Sequence, residues 1–184
     1  MEKVCRCGWV NLKNPLYVEY HDREWGRPEH EDGKLCEMLI LESFQAGLSW
    51  ECVLNKRENF RRAFDGFAPQ RVARFDEEKV QQLLCDPGII RNSRKIRASI
   101  RNCAVFLEIQ REFGSFDRYL WSFTGGEVVR EDCTLRTTSP LSDALSWDLK
   151  RRGMSFVGST VVYSYLQAVG VINGHSAGCF CLEQ

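Results

Sequence analysis

The spacing of apolar residues predicts helices along most of the chain. Between Ser93 and Phe113, apolar residues recur at intervals of four, three and four, as on the buried face of an amphipathic helix: Ile96, Ile100, Cys103 and Leu107. A second such segment runs from Leu35 to Glu42. Strictly alternating apolar and polar residues, which would predict strands, are almost absent. The pattern therefore predicts an all-α fold.

Residues that favour helix ends mark two further helices. Asp76 is placed to cap a helix over 77–84, whose first turn is acidic as the helix dipole prefers. Ser139 precedes Pro140, a pair typical of a helix start, and Gly153 follows a basic segment as a helix end. We expect both segments to be helical.

Two longer segments are less regular. The segment from Trp50 to Phe64 has a charged outer face and is predicted as one continuous helix. The segment from Ser155 to Val169 is rich in β-branched residues, yet its length favours a buried helix over a strand.

Length and composition indicate a soluble globular protein. With 184 residues and 43% hydrophobic content, the chain suits one domain, predicted over residues 1–184. No apolar stretch reaches the roughly 18 residues of a membrane span, and the first residues lack the apolar core of a secretory signal. We expect a cytoplasmic monomer without a membrane partner.

The net charge of zero lowers the expectation of nucleic-acid binding without removing it, because binding requires only a local basic face. Nine cysteines at irregular spacings argue against a disulfide framework. They favour reduced thiols and a metal site.

The candidate metal ligands lie at the two ends of the sequence: Cys7, His21, His175 and Cys179. Two cysteines and two histidines are a common ligand set for a closed, structural Zn²⁺ site. The spacing between His175 and Cys179 places both on one helical turn or tight loop. The alternative is that the cysteines are buried apolar residues and the histidines are hydrogen-bonded polar groups. Spacing alone leaves both interpretations open.

A candidate DNA-binding turn lies between two predicted helices, in the segment 84–91. It resembles a helix-hairpin-helix element, in which backbone N–H groups hold a DNA phosphate. Gly88 would allow close approach of the backbone, and a basic segment containing Arg91 and Lys95 follows. The alternative is an ordinary solvated helix face.

A candidate base-binding site is indicated by aromatic residues around one carboxylate. Glu42 lies in an otherwise apolar helical segment, where an unpaired carboxylate costs several kcal/mol unless it faces a pocket or a partner. The neighbouring aromatic candidates are Tyr17, Tyr20, Trp25 and Trp50. Aromatic rings and a carboxylate together suit a purine, preferably a cationic one. The alternative is that the rings belong to the core and Glu42 pairs with an arginine.

Several short motifs, in order over nearly the whole chain, resemble the bacterial 3-methyladenine DNA glycosylase I family. They are RCGW at 6–9, PLYVEYHDREWGRP at 15–28, QAGLSW at 45–50, GIIR at 88–91, KI at 95–96, DALS at 143–146, KRRG at 150–153, FVGST at 156–160 and the cysteine-ending tail. The resemblance implies a helix-hairpin-helix glycosylase whose termini are tied by one structural zinc ion.

Carried over to this sequence, the resemblance places functional residues in two groups. The zinc ligands are Cys7, His21, His175 and Cys179. The base-binding residues are Tyr17, Tyr20, Trp25, Glu42 and Trp50, with Glu42 as the catalytic candidate. Independently of the resemblance, the basic turn supplies the DNA-binding candidates Gly88, Arg91 and Lys95, and Leu48 is the residue that we expect to insert into the duplex.

The implied activity is excision of 3-methyladenine from double-stranded alkylated DNA by hydrolysis of the N-glycosidic bond, with release of the free base and an abasic site. Two departures from the family pattern affect this expectation: Ser43 and Phe44 beside the pocket glutamate, and Phe180 within the cysteine run. The alternative function is a catalytically silent helix-hairpin-helix DNA-binding protein with a structural zinc. A zinc hydrolase is disfavoured, because four protein ligands leave no open position.

Overall fold

The computed structural model describes residues 4–183, which are mostly helical. The helices, numbered here in chain order, are α1 Pro15–Arg23, α2 Asp32–Gln45, α3 Trp50–Leu54, α4 Arg57–Ala63, α5 Pro69–Val72, α6 Glu77–Cys85, α7 Ser93–Phe113, α8 Phe116–Ser122, α9 Pro140–Arg151 and α10 Ser159–Ala168. A single 3₁₀ turn, Asp65–Phe67, follows α4. Two short strands, β1 Val129–Arg130 and β2 Ile172–Asn173, pair in parallel with Val129 opposite Ile172.

Helix α2 lies at the centre of the molecule. Every residue from Leu35 to Phe44 is buried, so the helix is enclosed on all sides. It packs against α3, α7, α8 and α10. Apolar side chains from near both termini, including Cys7 and Cys181, join the same hydrophobic core. A polar residue on α2 is therefore inside the protein unless a cleft reaches it.

Capping residues define the ends of the predicted helices. The side chain of Asp76 accepts a hydrogen bond from the Lys79 N–H at the start of α6. Ser139 and Ser142 form a reciprocal capping box at the start of α9. The predictions for α2, α6, α7 and α9 are confirmed, with α2 extending beyond the predicted segment at both ends.

Two predicted helices differ from the structure. The segment from Trp50 to Phe64 is not one helix, because Lys56 leaves helical geometry with φ −104° and ψ 0° and separates α3 from α4. The Lys56 ammonium donates to the carbonyls of Pro87 and Gly88 at 3.3 Å each. These tertiary contacts lie at the break between α3 and α4, which the spacing of apolar residues in the sequence does not predict. Helix α10 also begins four residues later than predicted, at Ser159.

No helix in the described part of the chain is long and apolar enough to cross a membrane.

Candidate active site

An aromatic cleft of about 230 Å³ opens between α1, α2 and α10. Its lining residues are Trp9, Tyr17, Tyr20, Trp25, Glu42, Gln45, Trp50, Ser164 and Gln167. Beside it lies a second space of about 200 Å³, also lined by Glu42, Gln45 and Ser164, which reaches Leu48 and Thr160. All five residues predicted to bind a base therefore line one cleft.

Glu42 is the polar centre of this cleft. Its side chain is 3% exposed, and its Oε2 atom has no hydrogen-bond partner among the described residues. Burial raises the pKa of Glu42 to about 8. Arg57, which is buried, does not pair with Glu42, because it donates to Glu24 and Glu37 instead. Glu42 is thus a buried carboxyl group that faces a cleft without a protein counter-ion.

The aromatic walls are held by two helices. Tyr20 lies on α1 and Trp50 begins α3, and their ring centroids are 5.1 Å apart at 42°. The Trp50 Nε1 atom is buried and has no acceptor among the described residues. Tyr17, one turn before Tyr20, is half-buried at the cleft. The cleft therefore holds two unsatisfied polar groups of opposite kind, one N–H donor and one carboxyl acceptor.

Trp25 connects the cleft to a second site. Its ring lies 4.7 Å from the His175 ring, and its carbonyl oxygen lies 3.1 Å from His175 Nε2. Trp9, which is 40% exposed, packs edge-on against it at 4.8 Å.

That second site is the predicted metal cluster. Cys7, His21, His175 and Cys179 are all buried, and one ligand atom from each lies within 4.8 Å of the others. The Sγ atoms of Cys7 and Cys179 each lie 3.5 Å from His175 Nδ1, and Cys179 Sγ lies 3.5 Å from His21 Nε2. Tetrahedral bonds of about 2.3 Å to sulfur and 2.0–2.1 Å to nitrogen place such atoms about 3.6 Å apart. The four side chains fit a metal ion of that size.

Outer hydrogen bonds orient the two histidine rings in this cluster. His21 Nδ1 lies 2.8 Å from Asp22 Oδ1, and Arg6 donates to the same carboxylate. His175 is oriented through its contact with the Trp25 carbonyl, and burial lowers its pKa to about 4, which keeps the ring neutral. With one ring nitrogen engaged in this way, the other nitrogen, His21 Nε2 or His175 Nδ1, faces the two cysteine sulfur atoms.

Gly26 allows the close packing at this cluster. Its φ of +77° lies in the left-handed region, and a Cβ atom there would lie 2.8 Å from His175 Nε2. The sequence analysis did not single out this glycine.

The predicted DNA-binding turn links α6 to α7. The Gly88 N–H donates to Asp86 Oδ1 at 2.7 Å, and a Cβ at Gly88 would lie 2.9 Å from that oxygen and 3.1 Å from Asn59. Gly88 therefore closes the turn around neighbouring side chains, and its N–H is already engaged. Arg91 is exposed at the end of the turn.

Lys95 differs from the expectation that it contacts DNA. Its side chain is buried, and its Nζ atom donates to the carbonyls of Phe44 at 2.7 Å and Ala46 at 2.6 Å. Because its ammonium is engaged inside the protein, we correct the DNA-binding prediction for Lys95. The side chain holds the end of α2 instead.

Leu48 lies at the rim of the cleft. It follows Gly47, whose φ is +80°, in the turn from α2 to α3, and it is 42% exposed. Ser43 and Phe44 do not line the cleft: Ser43 donates to the Leu39 carbonyl, and Phe44 is fully buried against Phe60. The departures from the family pattern beside Glu42 therefore leave the cleft open.

Comparison with known proteins identifies the family and the fold. The sequence pattern described as methyladenine glycosylase matches residues 9–182. The chain belongs to the methyladenine glycosylase family. It is 48% identical over 180 residues to DNA-3-methyladenine glycosylase 1 of Escherichia coli K12, covering 96% of each chain. It is also 36% identical to DNA-3-methyladenine glycosylase of Haemophilus influenzae, covering 96% of this chain and 97% of that one.

Solved structures of the family share the fold. A crystal structure of 3-methyladenine DNA glycosylase I superposes with a TM-score of 0.92 at 47% identity, covering 96% of this chain and 99% of the other. The Staphylococcus aureus enzyme, in a study of 3-methyladenine recognition, gives a TM-score of 0.90 at 34% identity and 95% coverage of both chains. A variant of 3-methyladenine DNA glycosylase I in complex with 3-methyladenine gives 0.91 at 33% identity, covering 95% and 96%.

Four cleft residues of this family member were not predicted from its sequence: Trp9, Gln45, Ser164 and Gln167. A signal existed for two of them, because Ser164 and Gln167 are polar residues three apart in the mostly apolar helix α10. The same argument identifies Glu42 on α2. Nothing in the sequence marks Trp9 or Gln45 as a cleft residue. Trp9 lies in a turn before α1 and Gln45 is the last residue of α2, and polar or exposed residues are common at such positions.

Proposed function

We propose that the protein excises 3-methyladenine from alkylated double-stranded DNA by hydrolysing the N-glycosidic bond, releasing the free base and leaving an abasic site. Family membership over residues 9–182 supports this activity, as do relatives named for it at 36–48% identity. In this proposal Glu42 is the catalytic residue, and the aromatic cleft receives the base.

One observation carries the proposal: Glu42 is buried in an aromatic cleft without a protein counter-ion. A base alkylated on a ring nitrogen is cationic while its glycosidic bond is intact. Such a base would offset the cost of ionising the buried carboxyl group, and the aromatic faces would attract its positive charge. Neutral adenine would not offset that cost. The cleft is therefore selective for a cationic purine.

The chemistry asked of the protein is modest, because a cationic purine is already a good leaving group. Water adds to the sugar C1′ atom and releases one proton to solvent, while the bond to the base nitrogen breaks and its electron pair leaves with the base and neutralises it. Tyr20 and Trp50 hold the extruded base, and Glu42 accepts a hydrogen bond from it. No lysine is among the described residues that line the cleft. This supports hydrolysis over a lysine Schiff base.

The proposed DNA-binding face includes the turn between α6 and α7, which we assign as the helix-hairpin-helix. Arg91 and Arg94 are exposed there and form no ion pair with any described residue. In contrast, Arg97 on the same helix donates to both carboxylate oxygens of Glu77. Leu48, exposed at the rim, is the candidate that fills the space left by the extruded base.

We further propose that Cys7, His21, His175 and Cys179 hold one structural Zn²⁺. The ligand set and the 3.5 Å separations between sulfur and nitrogen atoms support this assignment. Four protein ligands close the coordination sphere, so the ion stabilises the fold and does not activate water.

Release of free base from methylated duplex DNA tests the proposed activity. The purified protein is incubated with duplex treated with a methylating agent, and the released bases are separated by chromatography. Free 3-methyladenine is expected from methylated duplex and no free adenine from untreated duplex. Binding of methylated duplex without release of base would instead establish the silent DNA-binding alternative.

A further inference from the structure

Lys95 joins the proposed DNA-binding turn to the base cleft. Its backbone N–H lies in the first turn of α7 and donates to the Asn92 side chain, which caps the helix that follows the hairpin. Its Nζ atom donates to the carbonyls of Phe44 and Ala46 at the other end of the side chain. One residue therefore makes hydrogen bonds on both sides of the boundary between hairpin and cleft.

The end of α2 depends on this contact. The last turn of α2 contains no basic residue, so its terminal carbonyls and the negative end of the helix dipole have no cation from their own helix. Lys95 provides both the cation and the N–H donors from α7. The ammonium also lies 5.9 Å from the centre of the Phe156 ring. Burial lowers the pKa of Lys95, as expected for an amine held away from water.

The segment held by Lys95 contains the two sides of the cleft. Glu42 lies on α2, one helical turn before Ala46, which directly follows the helix. Trp50 lies four residues after Ala46, at the start of α3. Between them, Gly47 takes a left-handed conformation and the Leu48 N–H donates to the Gln45 carbonyl. A change in the direction of the Ala46 carbonyl would therefore move Leu48 and Trp50 relative to Glu42.

We propose that Lys95 is a positioning residue for excision: it fixes the turn from α2 to α3, and so sets the Glu42 to Trp50 geometry, without itself contacting DNA or base. This inference rests on the proposed function, because it assigns Lys95 a role in that cleft. It reverses the expectation from sequence that Lys95 adds to duplex affinity.

The test separates excision from duplex binding. Lys95→Met keeps the length and apolar part of the side chain but removes the ammonium. With protein in excess over methylated duplex, we expect the single-turnover excision rate to fall at least about ten-fold, which corresponds to 1.4 kcal/mol. The dissociation constant for undamaged duplex should stay within about two-fold of the parent value. Lys95→Arg, which keeps the donors and charge, should recover part of the rate.

Arg111→Met is the matched control, because it removes an exposed cation from the far end of the same helix. It should match the parent in both measurements. Amide hydrogen exchange should be faster over 45–50 in Lys95→Met, with the centre of α7 still protected.

Three results would overturn the proposal. In the first, duplex affinity falls while the rate at saturation stays parental, which would establish a phosphate contact. In the second, Lys95→Met matches the parent throughout. In the third, the active fraction and duplex binding fall in proportion, which would establish a merely structural role.

If Lys95→Met does not fold, Lys95→Gln, which keeps an N–H donor at shorter reach, replaces it. The same outcome is expected of Lys95→Gln: a slower single-turnover excision rate with an unchanged dissociation constant for undamaged duplex. Absence of base release by the parent protein would refute the proposed function rather than the role of Lys95.

Discussion

At the scale of single residues, the informative feature is a carboxyl group whose ionisation is opposed by its surroundings. Glu42 could be identified from the sequence because it interrupts an apolar helical segment, and the structure places it in a cleft. Its lack of a counter-ion could not be predicted. Which arginine reaches which glutamate depends on the packing of α4 against α2, and Arg57 is directed to Glu24 and Glu37.

The pKa of Glu42 predicts a pH dependence of stability. Burial raises this pKa to about 8 from an ordinary value of 4.5. At intermediate pH the folded protein therefore keeps a proton on Glu42 that the unfolded chain releases. The contribution of this protonation to the free energy of unfolding is complete below about pH 4.5 and is lost as the pH rises to about 8. The glutamine in Glu42→Gln cannot ionise, so this variant does not lose stability over that pH range.

We therefore expect Glu42→Gln to gain free energy of unfolding relative to the parent between pH 5.5 and pH 7.5, by at most about 1.4 kcal/mol per pH unit. Urea unfolding at several pH values measures the difference. Glu108→Gln, an exposed position on α7, is the control and should show no such trend. A constant difference between Glu42→Gln and parent across this range would show that the Glu42 carboxyl has an ordinary pKa.

At the scale of elements, periodicity and capping residues predicted the long helices but not the break in the chain. Helix α7 was predicted with its observed bounds because both its apolar stripe and its ends have local signals. The separation of α3 from α4 has no such signal. It is accompanied by contacts from Lys56 to the distant hairpin, and a helix pattern in sequence carries no information about such contacts.

The hairpin between α6 and α7 predicts a difference between an arginine in the turn, Arg91, and an arginine on α7, Arg97. Arg91 is exposed without an ion pair, whereas Arg97 is held by Glu77. Arg91→Ala should weaken binding to any duplex and reduce the slope of log affinity against log salt by about one. Arg97→Ala should have a smaller effect, because its charge is already compensated. Salt titrations of duplex binding compare the two.

Base selectivity should be unchanged in Arg91→Ala, since phosphate contacts position the duplex and do not read the base. A variant that kept parental duplex affinity but released a different base would remove the hairpin from the DNA-binding face.

At the scale of the whole molecule, the cluster of Cys7, His21, His175 and Cys179 brings together residues from near the two ends of the sequence. The ligands were candidates from their residue types near the two termini and were then implied by the resemblance, because residues 7 and 175 are too far apart in sequence for any spacing rule to pair them. The structure brings their side chains together, with Cys7 Sγ 3.5 Å from His175 Nδ1. The outer contacts that orient the rings, from Asp22 and the Trp25 carbonyl, follow only from the three-dimensional arrangement.

This arrangement predicts that metal content and stability change together. Cys179→Ala and His21→Ala should each lose bound zinc and melt at lower temperature, by about 2–4 °C for each kcal/mol lost. Cys85→Ala, at an exposed cysteine outside the cluster, should change neither quantity. Zinc analysis and thermal melting of the same samples measure both. Zinc-free protein with a parental melting temperature would refute the structural zinc.

Excision of 3-methyladenine by Glu42→Gln is the decisive measurement of whether the unpaired Glu42 carboxyl group recognises a cationic base. The substitution keeps the size of the side chain and removes its charge. A charge-assisted hydrogen bond contributes about 1.5–3 kcal/mol, so the account predicts excision about ten- to a hundred-fold slower, with binding to undamaged duplex nearly unchanged. A folded Glu42→Gln protein that excises 3-methyladenine at the parental rate would contradict it.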